Sequence, residues 1–123
     1  MAPGEAPPLA PRELWRIDQA LSTADRETAL TFSVYIGDLA EPTRPAAEAL
    51  HSQLGERADA GVLLAVSPNQ RVLEIVTGAR ARRSLPDRVC ALTVLSMTAA
   101  FEGGDIAGGI VTGLRMLADQ ARR

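Results

Sequence analysis

The chain has 123 residues, of which 46% are hydrophobic, so it can bury one core of ordinary size and has no room for a second domain. Thirteen basic and fifteen acidic side chains give a formal net charge of -2, which excludes the strong positive field that generic binding to nucleic acid or anionic lipid requires. Cys90 is the only cysteine, which excludes an intramolecular disulfide and a thiolate-rich metal site.

The chain begins with a proline-rich stretch, MAPGEAPPLAP. Its composition predicts a disordered or extended lead-in over residues 1–8, followed by a single domain over residues 9–123. The stretch does not have the pattern of a signal peptide, and no run of about 18 apolar residues occurs in the chain. The sequence therefore predicts a cytoplasmic protein without a membrane span.

A helix and a βαβ unit are predicted over the first half of the chain. Apolar residues at spacings of three and four predict a helix from Pro11 to Asp25. The β-branched and aromatic segment from Leu30 to Gly37 predicts a strand, and helical spacing resumes from Ala47 to Gly55. Because an apolar strand at Gly61–Ser67 follows, the two strands should be parallel, with a right-handed crossover.

The second strand is predicted to lie at the centre of the sheet. It is nearly all apolar, which suits a strand that helices cover on both faces. A turn containing Pro68 and Asn69 separates it from the third strand, Arg71–Gly78, so these two strands should form an antiparallel hairpin. Glu74 places the third strand at or near an edge of the sheet.

Two more helices are predicted over the remainder of the chain. Ser84 with Asp87, around Pro86, resembles a capping box that starts a helix ending near Phe101. The wide apolar arc of this helix predicts packing between the sheet and a last helix, about Asp105 to Gln120. The fold class is therefore α/β, with a small mixed β-sheet, a βαβ unit plus a β-hairpin, sandwiched by about four helices.

The glycine-rich segment FEGGDIAGGIVTG does not fit a nucleotide-binding loop. A P-loop needs lysine where this segment has isoleucine, and a dinucleotide-binding loop follows a strand, whereas this segment follows a helix. Gly103 and Gly104 instead predict the left-handed end of one helix, and Asp105 predicts the N-cap of the next. Gly109 and Gly113 lie one turn apart, which predicts close packing of the two helices.

Several stretches make the chain similar to a known family. GVLLAVSPNQRVLEIVTG, followed by LPD and a helix leading to FEGGDIAGGIVTG, resembles the TPM domain. FSVYIGDL and SMTAAF resemble a short actinobacterial family of unknown function related to TPM. The similarity spans about Leu9 to Leu117 and implies an α/β sandwich with a small mixed sheet. Acid phosphatase activity and calcium binding have been attributed to some TPM members.

This sequence departs from the TPM pattern in two ways. After the third strand many members carry a glutamate, whereas this chain reads GARARR. Most members also have a signal peptide or a membrane anchor, and neither pattern occurs in this sequence. Both departures favour a function other than metal-dependent phosphate hydrolysis.

Polar residues are predicted to lie at the carboxyl ends of the parallel strands. Asp38 follows the first strand, Asn69 lies in the hairpin turn, and Glu102 and Asp105 lie between the last two helices. Because these residues carry oxygen ligands, one interpretation is a site for a divalent cation, calcium or magnesium. The other interpretation is that Asp105 caps a helix, Asn69 forms a turn and Asp38 is solvated.

Arginines are concentrated at the opposite end of the predicted sheet. Arg80, Arg82 and Arg83 come before the helix that follows the third strand, and Arg57 lies near the end of the second helix. Because the start of a helix presents free N–H groups, one interpretation is that an acidic partner segment or a phosphate docks here. The other interpretation is a solvated basic loop.

Two functions of different class are consistent with these residues. The preferred one is a noncatalytic binding or accessory module for a protein or an anionic partner, and the alternative is a TPM-like, cation-dependent acid phosphatase. His51 has no nucleophilic partner that the sequence can assign, and Ser67 and Ser96 lack the nucleophile-elbow pattern of a hydrolase. Trp15, beside the inward face of the first helix, is interpreted as a packing residue at its rim.

Overall fold

The computed structural model describes residues 9–122, in which five α-helices surround a three-stranded sheet. In chain order the elements are α1 (Pro11–Glu27), β1 (Thr31–Ile36), α2 (Thr43–Ser52), a 3-10 turn (Gly55–Arg57), β2 (Gly61–Ser67), β3 (Val72–Thr77), α3 (Ala79–Ser84), α4 (Asp87–Glu102) and α5 (Ile106–Ala121). The α/β class is confirmed. The predicted lead-in, residues 1–8, lies outside the described residues.

The sheet has the predicted mixed topology, with β2 as its central strand. β1 and β2 are parallel, from the pair Thr31 and Gly61 to the pair Ile36 and Val66, and β2 pairs with β3 in antiparallel orientation. All seven residues of β2 are buried. The βαβ unit, the hairpin and the edge position of β3 are therefore as predicted.

Helices cover both faces of the sheet. Alternate residues of β2 point to opposite faces, and the residues on each face pack against a different set of helices. Val62, Leu64 and Val66 pack in a larger core with residues of α1, α4 and α5. Leu63 and Ala65 pack in a smaller core with residues of α2 and of the loop after β1. The domain is thus a three-layer sandwich with two separate hydrophobic cores.

Helices α4 and α5 pack closely around the glycine-rich corner. Gly104 has a φ of +88° and is left-handed as predicted, whereas Gly103, with a φ of -80°, is not. The Asp105 carboxylate accepts a hydrogen bond from a first-turn N–H of α5, so the predicted N-cap is confirmed. A Cβ at Gly113 would overlap the Met97 side chain, and one at Gly109 would overlap an aromatic side chain of α4. Both glycines therefore permit the close approach that the sequence predicted.

The region before α4 differs from the prediction. The expected capping box of Ser84 and Asp87 does not form, because Pro86 is the N-cap of α4 and has no side-chain oxygen to accept a hydrogen bond. Ser84 instead ends the short helix α3, which contains the arginines predicted to lie in a loop. Leu85 stands before a proline and leaves the helical region of φ and ψ, which separates α3 from α4.

Candidate functional site

Helix α3 holds the predicted arginines against the segment that precedes β2. The backbone N–H of Arg80 donates to the carbonyl oxygen of Asp59 at 3.0 Å and to its carboxylate at 3.2 Å. The N–H of Ala81 donates to the same carbonyl at 3.2 Å. A Cβ at Gly78 would overlap the backbone of Ala58 and Asp59, so the two segments are in direct contact.

The predicted anion site also relied on free N–H groups at the start of a helix, beside the arginines. In α3 these groups donate to Asp59, whose carboxylate also adds a negative charge to the region. Helix α4 begins only after the arginines, and its first turn contains the acidic side chain of Asp87. Any selectivity for anions must therefore come from the guanidinium groups themselves.

Two arginines line the outer edge of β3. Arg82 Nη2 donates to the Thr77 carbonyl at 3.0 Å, and Arg44 Nη1 donates to the Ile75 carbonyl at 2.9 Å. In an antiparallel pair, alternate residues point their backbone polar groups away from the partner strand, so both carbonyls face outward from the edge strand. Because a guanidinium has five N–H donors and both side chains are exposed, donors remain for a ligand.

We refer to the guanidinium groups of this region as the arginine site, which comprises Arg44, Arg57, Arg80, Arg82 and Arg83. Arg83 is exposed on α3, and Arg57 ends the 3-10 turn that precedes Asp59, in the segment that α3 contacts. The structure therefore places all four predicted arginines around the junction between β3 and α3, and it adds Arg44 from α2.

Sequence reasoning missed Arg44, which reaches β3 from the first turn of α2. Its guanidinium lies 3.4 Å from the Glu74 carboxylate and 3.4 Å from that of Glu48. Thr43 also donates to Glu74, at 2.9 Å. A carboxylate in a strand that a helix covers needs hydrogen-bonding or charged partners. Glu74 could therefore have indicated that α2 supplies a positively charged side chain at this position.

Cys90 is half-buried on α4, and its thiol donates to the Leu85 carbonyl at 3.8 Å. Burial raises the pKa of its thiol and Asp87 raises it further, whereas Arg44 and Arg82 act in the opposite direction. Because the raised pKa keeps the thiol protonated near neutral pH, Cys90 is not an activated nucleophile.

The other residues considered for chemistry are engaged in the fold. His51 is buried, with Nε2 3.1 Å from the Gly61 carbonyl oxygen, and the Ser67 hydroxyl donates to Gln70 at 2.5 Å. Ser96 is half-buried on α4. Trp15 is 62% exposed and borders a cleft between α1 and α5. None of these four side chains is paired with a second group in a nucleophile-and-base arrangement in the described part of the chain.

Asp38 and Asn69 meet at the carboxyl ends of β1 and β2. Asn69 Nδ2 donates to Asp38 Oδ1 at 3.2 Å. Gln70, which sequence reasoning missed, ties the two loops together: its side chain accepts from the Leu39 N–H at 2.7 Å and donates to the Leu39 carbonyl at 2.8 Å. Leu39 packs in the core beneath α2, so this pair lies on the α2 side of the sheet.

Glu102 and Asp105 lie on the other side of the sheet. Glu102 borders a cleft of about 510 Å³ between α4 and the β2–β3 turn, with Arg71 and Thr98 among its lining residues. The Asp105 carboxylate accepts from the Gly108 N–H at 2.9 Å. Within residues 9–122, no three Asp, Glu, His or Cys side chains are arranged to hold a metal ion. The four predicted ligands thus form two groups, and cation binding stays a prediction.

The fold defines an α/β sandwich domain with an arginine-lined sheet edge, and comparison with known proteins gives its family. A family model described as a domain of unknown function, DUF5130, matches residues 2–118, and the chain belongs to this family. The chain is 33% identical over 110 residues to the uncharacterized protein Rv2468c of Mycobacterium tuberculosis, strain H37Rv. This match covers 89% of the chain, which spans 65% of the length of that relative.

Solved structures of other bacterial proteins share this fold. The NMR structure of the BA42 protein from Bizionia argentinensis superposes with a TM-score of 0.82 at 19% identity and covers 92% of this chain and 81% of that one. The N-terminal domain of a P. gingivalis protein gives a TM-score of 0.80 at 21% identity, with 91% and 75% coverage. No helix within residues 9–122 is long and apolar enough to span a membrane.

Proposed function

We propose that this chain is a cytoplasmic, noncatalytic binding module whose arginine site takes an acidic segment of a protein partner or a small anion. The observation that supports this function best is the arrangement at the edge of β3. There, Arg44 and Arg82 are held on outward-facing carbonyls while their side chains stay exposed.

A guanidinium group suits this role because its planar fork matches the two oxygens of a carboxylate or phosphate. A long, freely rotating side chain loses entropy when it binds, and this loss weakens binding. The hydrogen bonds from Arg44 and Arg82 to β3 restrict both side chains before a ligand arrives. The edge therefore presents partly preorganised donors.

The charges around the arginine site favour weak and selective binding over general attraction to polyanions. Asp59 and Asp87 lie beside α3, and Arg44 is shared with Glu48 and Glu74. These carboxylates offset part of the positive charge. Binding should therefore depend on placing a carboxylate or phosphate directly against the guanidinium groups, and it should weaken as salt is added.

Two further observations support a binding role over a catalytic one. His51 and Ser67 are held by hydrogen bonds within the fold, and the pKa of the Cys90 thiol is raised, so none is poised as a base or nucleophile. The similarity of GVLLAVSPNQRVLEIVTG to the TPM domain also supports an accessory role, since some TPM members look like membrane-tethered accessory modules.

Replacing Arg80, Arg82 and Arg83 by alanine should weaken binding of an acidic probe about tenfold to a hundredfold, because each exposed ion pair contributes modestly. The probe is a polyglutamate peptide of about ten residues, with inorganic phosphate as the small-anion arm, followed by calorimetry at low salt. All three side chains lie on the surface, and an unchanged circular dichroism spectrum would show that the variant folds.

A matched control removes three arginines elsewhere, Arg12, Arg16 and Arg26 of α1, and so produces the same change in net charge. This control should bind the probe like the natural chain. Equal weakening in both variants would mean that net charge alone drives binding, and unchanged binding in the α3 variant would exclude the arginine site.

A second candidate function is a TPM-like acid phosphatase that uses calcium or magnesium. The observation that favours it is the hydrogen bond between Asn69 and Asp38 at the carboxyl ends of the strands, which brings two oxygen-bearing side chains together. On the other side of the sheet, Glu102 and Arg71 border a separate cleft, which would have a carboxylate and a phosphate-binding group of its own.

A titration with calcium and then magnesium, followed by NMR, tests this second function. If it holds, the backbone amides around Asp38 and Asn69 should shift in a saturable way, and Asp38→Asn should abolish the shifts because it removes the carboxylate. The absence of shifts at Asp38, Glu102 and Asp105 up to millimolar cation would remove the phosphatase candidate. The absence of these shifts would not argue against anion binding at the arginine site.

A further inference from the structure

Helix α4 carries an exposed stripe that the fold of one chain does not use. The inner side of α4 buries Thr93 and Met97. Opposite them, seven residues are exposed: Arg88, Ala91, Leu92, Leu95, Thr98, Ala99 and Glu102, which we call the α4 stripe. Leu92 is 56% exposed and Leu95 is 68% exposed, the two largest exposures among the leucines of the described chain. Residues at spacings of three, four and seven share one helix face, so the stripe is continuous.

The α4 stripe is complementary to the α4 stripe of a second copy that runs antiparallel to it. Arg88 and Glu102 lie seven residues to either side of Leu95, at opposite ends of the stripe. In an antiparallel pair with Leu95 on the two-fold axis, Arg88 of each copy therefore meets Glu102 of the other. The same rotation pairs Ala91 with Ala99 and Leu92 with Thr98.

From this pattern we infer that α4 is the dimer interface of the protein, packed antiparallel against α4 of a second copy. The occupant is another copy of this chain, because reversing the stripe on itself brings both of its charged ends against opposite charges. Within residues 9–122, neither Arg88 nor Glu102 forms an ion pair. A two-fold interface uses the same surface on both subunits, and the symmetric placement of these residues about Leu95 meets that requirement.

Packing also suits a helix pair at this face. Ala91 and Ala99 are small and flank Leu95, so the two backbones can approach closely while the leucines interdigitate. Interfaces of standard size use about 20–30 residues per partner. Since the α4 stripe is much shorter, the dimer should be reversible, with a dissociation constant on the order of 100 μM.

Sedimentation velocity over concentrations from about 10 μM to about 1 mM tests the inference, since this range brackets the expected dissociation constant. The natural chain should pass from monomer, 13.0 kDa, to dimer. Leu95→Glu should remain monomeric throughout, because it places two carboxylates on the symmetry axis. Leu14→Glu changes an exposed leucine of α1, 47% exposed, and should dimerise like the natural chain.

Charge reversal at the ends of the stripe tests the antiparallel arrangement. R88E and E102R should each weaken the dimer about tenfold, because each change creates two like-charge contacts. The double variant R88E/E102R should restore it, and an equimolar mixture of the two single variants should form a heterodimer. A natural chain that stays monomeric at about 1 mM, a dimer that survives Leu95→Glu, or a double variant that is not restored would overturn the inference.

Discussion

Gly78→Ala is expected to lower the free energy of unfolding by about 3 kcal/mol, as overpacking against rigid backbone does. A Cβ at this position would overlap the carbonyl oxygens of Ala58 and Asp59. Neither oxygen can move freely, since the N–H of Gly61 donates to the first and the N–H groups of α3 donate to the second. Because Gly78 has a φ of -69°, the loss would come from steric overlap and not from backbone strain. Urea denaturation followed by circular dichroism gives the value.

Gly103→Ala is the matched control for this substitution. Gly103 has a φ of -80°, and a Cβ there would meet no atom nearer than 3.4 Å. Its stability should change by less than about 1 kcal/mol, since alanine fits the conformation. Similar losses at both positions would contradict the contact between α3 and the segment before β2.

Gly78→Ala should also weaken binding of the acidic probe, because it displaces the helix that carries three of the arginines.

Leu64→Ala is expected to destabilise the protein by about 3–5 kcal/mol, in the range for emptying a fully buried leucine position. Leu64 lies in the middle of the central strand with no exposed surface, in the larger of the two cores. Helices and neighbouring strands surround it, so little collapse can fill the cavity. The same substitution at Leu14, which is exposed on α1, should change stability by less than about 0.5 kcal/mol.

The contrast between these two leucine substitutions tests whether helices cover the larger-core face of the sheet. Denaturation curves should show a lower midpoint for Leu64→Ala with an unchanged slope. A loss below about 1.5 kcal/mol, typical of a site that is open to water, would mean that helices do not cover the face of β2 to which Leu64 points.

The main features of the fold follow from local sequence patterns. The unbroken apolar run Gly61–Ser67 marks a strand buried on both faces, and Glu74 marks an edge strand. The corner between α4 and α5 follows from Asp105 as an N-cap and from glycine where φ is positive. Each of these inferences depends on residues that are close in sequence, so the single amino-acid sequence is sufficient to predict these elements.

Helix α3 was missed because its sequence, ARARRS, has too few apolar residues for a periodic pattern. Its one local signal is the spacing of Ala81 and Leu85, four residues apart and both fully buried. A helix of six residues depends on contacts with the rest of the fold for its stability, and such contacts cannot be deduced from its own composition.

The candidate sites depend on contacts between residues that are far apart in sequence. Arg44 and Glu74 are separated by thirty residues, and Gln70 binds Leu39 across thirty-one. Topology placed Asp38 and Glu102 at the same end of the sheet, but it did not indicate that they lie on opposite sides of it. Packing of α2 against one face and α4 against the other decides this separation.

Anions are expected to bind at the arginine site on the edge of β3. NMR of the natural chain, with ¹⁵N-labelled backbone and arginine Nε groups, measured during titration with the polyglutamate peptide, tests it most directly. Saturable shifts are expected in residues 79–84 and in the Nε signals of Arg44 and Arg82, and the signals of Asp38 and Glu102 should not change. Shifts confined to other regions, or no shifts at low salt, would contradict binding at this site.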